Sequence, residues 1–288
     1  MGRYIIPIAI VVLLLTAGFF LFNSKPISKT VTNTVPTSTN QHGVSTIDGV
    51  FEGITPCNKA NCEMEIWKVT FNPDSTYALT TFYGMSQPGT LEIKGGGTKI
   101  NMEGNWTITE GTRVNPKAVV LQLHTDNSPN SISFLKVSDN IIHVVDTNKN
   151  MMVGNGSWAY TLSRTSGRTI HDTSLPSVIA GSPTLGVFEG RTQCLDFLVE
   201  FAQQPSGDCD KVKWKLTLTT NRYHLLTSRG SSEGVWAAEE NIYQLKSDKT
   251  EQTISLLRVD DNHLFFLDQS MNLLVGNALW SYTLSRTN

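Results

Sequence analysis

The sequence predicts an all-β protein: two tandem small antiparallel up-and-down β-barrels behind an N-terminal transmembrane or signal helix. Three observations carry this expectation. The 288-residue chain contains one domain written twice. Inside each copy the apolar residues recur with a period of two rather than 3.6. An uncharged apolar run, Ile5 to Phe22, opens the chain.

Composition narrows the function classes. Lys plus Arg number 23 against 25 Asp plus Glu, a net charge of −2, and 39% of residues are hydrophobic. That apolar share excludes a wholly disordered chain. A nucleic-acid partner is not expected, because no basic excess exists to neutralise phosphates.

The opening segment, 1–22, reads as a signal anchor. Its run is just long enough to cross a hydrocarbon core of roughly 30 Å. A cleaved secretory signal, with Thr16-Ala17-Gly18 as its small-residue site, is the competing reading. The anchor is favoured because Phe19 to Phe22 would leave an apolar end on a cleaved product. Either way the rest is extracytoplasmic, held at the membrane through its N-terminus or secreted. Residues 23–47 are rich in Ser, Thr, Asn and Pro and carry no acidic residue. They read as a disordered tether.

The repeat sets the domain boundaries. GVFEG at 49–53 recurs at 186–190, and EGNW at 103–106 answers EGVW at 233–236. ISFLKVSDN at 132–140 matches ISLLRVDDN at 254–262, and MMVGNGSWAYTLSRT at 151–165 matches LLVGNALWSYTLSRT at 273–287. Barrel 1 is therefore expected over 48–165 and barrel 2 over 186–288. The Ser-, Pro- and Gly-containing stretch 166–185 is the linker between them. Within copy one, Trp67, Val69 and Phe71 alternate with polar residues, and so do Tyr77, Leu79 and Thr81. Seven to eight short strands joined by Asn, Asp, Gly and Pro turns follow. That number of hairpin-linked strands closes into a barrel, which removes exposed sheet edges.

Each copy ends on Trp, Tyr and Leu spaced two apart: Trp158, Tyr160 and Leu162, then Trp280, Tyr282 and Leu284. They read as a core face sealing the barrel, or as a platform on which a ligand stacks. Arg164 and Arg286 follow as barrel caps resting on a Trp ring.

Four cysteines carry the most chemistry. Cys57 and Cys62 sit in the first loop of copy one, and Cys194 and Cys209 occupy the same frame in copy two. In an oxidising compartment two cysteines per domain form an internal disulfide. The alternatives are free thiols or a soft-metal site built from Cys57, Cys62 and Met64, since thiolate and thioether select Cu(I) and thiolate also Zn. The six histidines fall at non-equivalent places in the two copies, so they read as isolated strand or surface residues. Duplicated acids, among them Asp146 and Asp268, sit in turns and read as turn formers. No nucleophile–base set and no catalytic motif is present, so no enzyme is expected.

Taken together, GVFEGITPC with its second Cys, the DSTYALTTFYG strand, EGNW, the VVDTNKN turn and the closing YTL resemble the N-terminal domain of the NlpE family. These are bacterial envelope lipoproteins linked to copper resistance and envelope-stress sensing. The resemblance implies a lipocalin-like barrel with a PCxxC motif in its first loop, where Cys57 and Cys62 stand here. It implies a non-enzymatic envelope protein, with copper as the candidate cofactor and an envelope protein as the candidate partner. The chain departs from the pattern in three ways. Four residues rather than two separate Cys57 from Cys62, Gln193 stands where copy one has Pro56, and the lipidated cysteine is missing. A carrier of small apolar ligands and a purely structural docking module are the alternatives.

Overall fold

The computed structural model describes residues 47–125, 131–167, 169–178, 181–194 and 210–287. The expected anchor, residues 23–46 of the tether, and Cys209 lie outside them.

Barrel 1 is formed by eight strands: β1 (Gly49–Pro56), β2 (Met64–Phe71), β3 (Thr76–Gly84), β4 (Thr98–Glu110), β5 (Val119–His124), β6 (Ile132–Lys136), β7 (Ile141–Val145) and β8 (Thr161–Arg164). Each pairs antiparallel with the next. β8 returns to β1 with Phe51 opposite Arg164, which closes the barrel. Barrel 2 repeats the plan with β10 (Gly186–Gln193), β11 (Lys211–Leu218), β12 (Arg222–Thr227), β13 (Gly230–Glu239), β14 (Ile242–Ser247), β15 (Thr253–Asp260), β16 (His263–Leu267) and β18 (Thr283–Thr287). β18 pairs with both β16 and β10, so this ring closes as well.

Turn acids behave as their positions suggest. Asp146 Oδ1 accepts from the backbone N–H groups of Asn148 and Asn150, each at 2.8 Å. Asp268 does the same with Ser270 and Asn272. Such carboxylates satisfy backbone donors that a tight turn leaves unpaired.

Inward-facing rings fill both lumens. In barrel 1, Phe71 meets Phe51, Trp106 and Phe134 edge-on at centroid distances of 5.9, 5.4 and 6.3 Å. In barrel 2, Trp214 packs on Phe266 at 5.0 Å. The indole N–H groups of Trp67 and its repeat equivalent Trp214 are satisfied at once, whereas that of Trp106 has no partner among the described residues. Trp67 Nε1 donates to Thr55 Oγ1 at 2.9 Å and Trp214 Nε1 to Thr192 Oγ1 at 2.8 Å. A buried indole usually finds such a partner, and the repeat supplies this one twice.

Four expectations change in detail. Ile47, assigned to the tether, is buried in the barrel 1 core beside Phe51 and Phe71. The closing strand is shorter than the alternation: β8 starts at Thr161, Tyr160 and Leu162 enter the central core, and Trp158 packs instead on the end cluster of Ile54, Met64 and Ile93. Arg164 does cap the barrel, donating to Asp139 O and Asp48 O, but the ring beneath it is Phe51 at 4.7 Å rather than a Trp. The linker is partly structured. β9 (His171–Asp172) pairs with the short β17 (Leu273–Leu274) beside barrel 2. Asp172 meanwhile accepts from Asn140 N and Nδ2 in the β6–β7 turn of barrel 1 at 2.9 and 2.8 Å.

The glycine shared by EGNW and EGVW has a steric reason. A Cβ on Gly104 would lie 2.1 Å from His124 O, and one on Gly234 would lie 2.0 Å from Lys246 O. The neighbouring backbone has no room to yield. Gly104→Ala and Gly234→Ala are each expected to lower stability by about 1–3 kcal/mol, read as a fall in the urea midpoint at unchanged slope.

Candidate functional site

The β1–β2 loop is closed by a disulfide between Cys57 and Cys62, with Cα atoms 5.6 Å apart. The bridge staples the five-residue separation at the mouth of barrel 1. Asn61 takes a left-handed φ of 54° to turn the chain back, a conformation that Asn tolerates better than most residues. Side chains hold the loop from both sides. Asn58 Oδ1 accepts from Tyr160 Oη at 3.1 Å, tying the loop to the core. Lys59 pairs with Glu65 at 2.9 Å and lies over the Tyr83 ring at 3.7 Å. Glu63 accepts from Ser86 Oγ and N, and those bonds hold its carboxyl below the usual carboxylate range. Cys57 and Cys62 are both half-buried.

This loop forms one wall of a cleft of about 1340 Å³ between the barrels. Cys194, itself disulfide-bonded, lines the same cleft from barrel 2. Trp158 and Trp280 also line it. Their rings stack at 5.4 Å and 8°, one from each barrel. Arg191 sits over the Trp158 ring at 5.5 Å and Lys211 over the Trp280 ring at 5.2 Å. The ring faces are therefore engaged by one another and by cations, while Tyr160 and Tyr282 belong to the two cores.

Below the stacked tryptophans runs a seam with a local two-fold relation. Equivalent residues in the copies differ by 122 in number, and Thr161 meets its own equivalent Thr283 at 3.1 Å. Gly154 N donates to Ser285 Oγ at 3.2 Å. On the opposite side of the axis, a Cβ on Gly276 would lie 2.8 Å from Ser163 Oγ. The apolar layer obeys the same rule: Leu135, Val145 and Met151 share one cluster with their equivalents Leu257, Leu267 and Leu273. This is how an isologous contact is built, with residue i against j and j against i.

That geometry brings together two histidines that sequence comparison kept apart. His143 on β7 and His263 on β16 are fully buried, with ring centroids 4.8 Å apart. They are not repeat equivalents; His143 corresponds to Phe265 and His263 to Ile141. A two-fold seam places position 143 of one copy against the counterpart of 141 in the other. The signal in the sequence was that IIHVV and HLFFL are apolar on both faces, which a strand of a lone barrel has no reason to be. Both rings address one carbonyl, Met152 O, through Nε2 at 2.9 and 3.1 Å. His143 Nδ1 accepts from Thr161 Oγ1 at 2.9 Å, and His263 Nδ1 bonds Asp260 Oδ1 at 2.7 Å. Burial, then the neighbouring His263, pushes the His143 pKa down to about 3. Burial alone would raise the Asp260 carboxyl; the hydrogen bond and charge of His263 outweigh it and hold the pKa low.

The residues do not fit a copper ion as arranged. The Cys57 and Cys62 sulfurs are bonded to each other, so neither is a thiolate, and the thiolate is the ligand form. Met64 is fully buried against Ile54 and Ile93. Among the described residues no group of three or more His, Cys, Asp or Glu side chains is placed to hold a metal.

Comparison with known proteins adds one finding. No family model matches the chain, and no curated protein matches it. Among solved structures, the crystal structure of the Cpx pathway activator NlpE from Escherichia coli is matched at 12% identity, over 65% of this chain and 95% of that one, with a TM-score of 0.26.

Two outcomes follow from this geometry. Reducing the Cys57–Cys62 bridge, or replacing both residues with Ser, is expected to cost about 2 kcal/mol for so short a loop. Denaturant titration of the double Ser variant against the parent, both without reductant so that the Cys194 bridge stays closed, measures it. His143 gives a pH dependence whose sign is fixed. Its folded pKa lies below the unfolded 6.5, so between those values the unfolded chain binds a proton that the folded one refuses. Stability therefore falls as pH drops from 6.5 toward 3, by about 1.4 kcal/mol per pH unit. His143→Phe, the residue at the equivalent position 265, is expected to flatten that slope in unfolding curves recorded from pH 7 to pH 4.

Proposed function

We propose that this chain is a non-enzymatic protein of the bacterial envelope, anchored by its N-terminal segment, that reports envelope redox stress through its first loop. The observation that carries the reading is the half-buried Cys57–Cys62 disulfide on the inter-barrel cleft. A short-loop disulfide is a two-state element. An external thiolate attacks one sulfur, a second external thiol resolves the mixed disulfide, and the loop is left with two thiols. Once opened, the loop is held only by hydrogen bonds and one ion pair, among them Asn58–Tyr160, Lys59–Glu65 and Glu63–Ser86, so the cleft wall is free to change shape. The first-loop residues that resemble the NlpE family support an envelope role. The thiolates that reduction makes available are the form that would ligate Cu(I). An envelope protein seated in the cleft would be the partner that reads the loop.

The test is thiol trapping with a mass-shifting alkylating reagent in intact cells, before and during reductive stress, beside a Cys57→Ser, Cys62→Ser strain. The expected result is a pair oxidised at rest and reduced under stress, with the double variant more sensitive to that stress. A pair that stays oxidised under every stress applied, or a variant strain indistinguishable from its parent, overturns the proposal. Cu(I) titration of reduced protein, with the double variant as control, decides whether copper belongs to the same loop.

A further inference from the structure

A second cavity, of about 400 Å³, lies on the opposite side of the seam from the disulfide loop. Its three walls come from the 111–118 loop and neighbouring turns of barrel 1, the linker residues 174–177, and the 259–262 turn of barrel 2. The linker wall is tied in place: Asn115 Nδ2 donates to Ser177 O, and Asp139 N donates to Ser174 Oγ at 3.2 Å.

The two-fold predicts a twin cavity, and the structure closes it. In barrel 2 the turn between β13 and β14 has two residues where barrel 1 has eight between β4 and β5. Arg258 fills the corresponding space. It is 8% exposed and donates to Asn241 Oδ1 at 3.0 Å, Asp261 Oδ1 at 2.7 Å and Thr184 Oγ1 at 3.2 Å. Its equivalent, Lys136, is instead drawn to Asp139 at 2.6 Å, and the first cavity stays open.

Charge and shape then define what fits. All three lining carboxylates have cationic or imidazole partners: Asp139 with Lys136, Asp260 with His263 and Asp261 with Arg258. The remaining lining cations are Arg113, Lys117 and Lys149. Among the described residues, Arg113 and Lys117 make no ion pair, and Lys149 reaches only Thr109 Oγ1 and Glu110 O at 3.4 Å. Arg113 acts on Asp146 only from a distance. The floor is apolar, with Ala118, Leu135, Val137 and Met151 all buried, and Leu175 on the linker is an exposed flap. A volume within the usual range for small-molecule sites, an apolar floor and a cationic rim select one ligand class. We infer that this cavity binds a small amphipathic anion, its apolar body on the seam residues and its carboxylate or phosphate among Arg113, Lys117 and Lys149. The inference is independent of the disulfide loop.

The experiment is calorimetric titration of the full chain in nanodiscs, with empty nanodiscs subtracted. The probes are 1-naphthoate, 1-naphthyl phosphate and the neutral 1-naphthamide. At least one anion is expected to bind 10-fold or more tightly than the amide, and which anion does so separates carboxylate from phosphate ligands. Arg113→Ala with Lys117→Ala, both on exposed residues, is expected to weaken that anion at least 10-fold, whereas Lys215→Ala, at an exposed lysine that does not line the cavity, leaves it unchanged. Absence of anion binding, an amide that binds as well, or equal loss in the Lys215 variant overturns the assignment.

Discussion

A β-barrel of eight strands has an inside that must be apolar and an outside that ordinarily need not be, and here one sector of each outside is apolar as well. β7 and β16 are buried along their whole length. Their inward residues, such as Ile142 and Leu264, fill a lumen, and their outward residues, such as Val145 and Leu267, meet across the seam. Either barrel alone would expose that sector to water. The remainder of the architecture depends on this shared burial: the stacked tryptophans, the paired histidines, the cleft and the cavity all exist because two outer faces need covering.

Duplication makes that solution cheap to encode. A surface that contacts its own copy about a two-fold axis needs one set of apolar positions, used twice. Strict two-fold pairing holds where residues meet their equivalents, at Thr161 with Thr283 and Trp158 with Trp280. Elsewhere the copies have diverged, and the first-loop disulfide and the open cavity lie there. The first copy has a five-residue separation between its cysteines and an eight-residue β4–β5 loop, and the second copy has Arg258 where the first has Lys136. Divergence on a symmetric frame leaves a cavity with an apolar floor and a cationic rim on one side of the seam and closes its twin.

The seam is also where polar groups are most deeply buried. Two imidazoles, two threonine hydroxyls and one carboxylate share a connected set of hydrogen bonds with a single backbone carbonyl between the rings. A network of this kind is favourable only while every member is satisfied, so it specifies one register of barrel on barrel. A hydrophobic seam alone would tolerate sliding; this one does not, because a shift of one residue would take His263 Nε2 away from Met152 O and part Thr161 from Thr283.

Much of this was legible in the residues. The period-two alternation of Trp67, Val69 and Phe71, the repeated GVFEG and EGNW segments and the turn acids Asp146 and Asp268 all follow from local chemistry, since a strand's side chains alternate faces whatever the strand packs against. Those patterns determined the all-β class, the two copies and their inward faces. Tertiary structure alone decided what lies outside each barrel. Which outward residues meet is a property of the two-fold operation, which pairs position 143 with the counterpart of 141 and leaves no trace in an alignment of one copy with the other. For the same reason Trp158 packs on the Ile54, Met64 and Ile93 cluster of its own barrel and also stacks on Trp280 of the other, and Ile47 and the linker strand β9 were drawn into order by surfaces that sequence neighbours do not reveal.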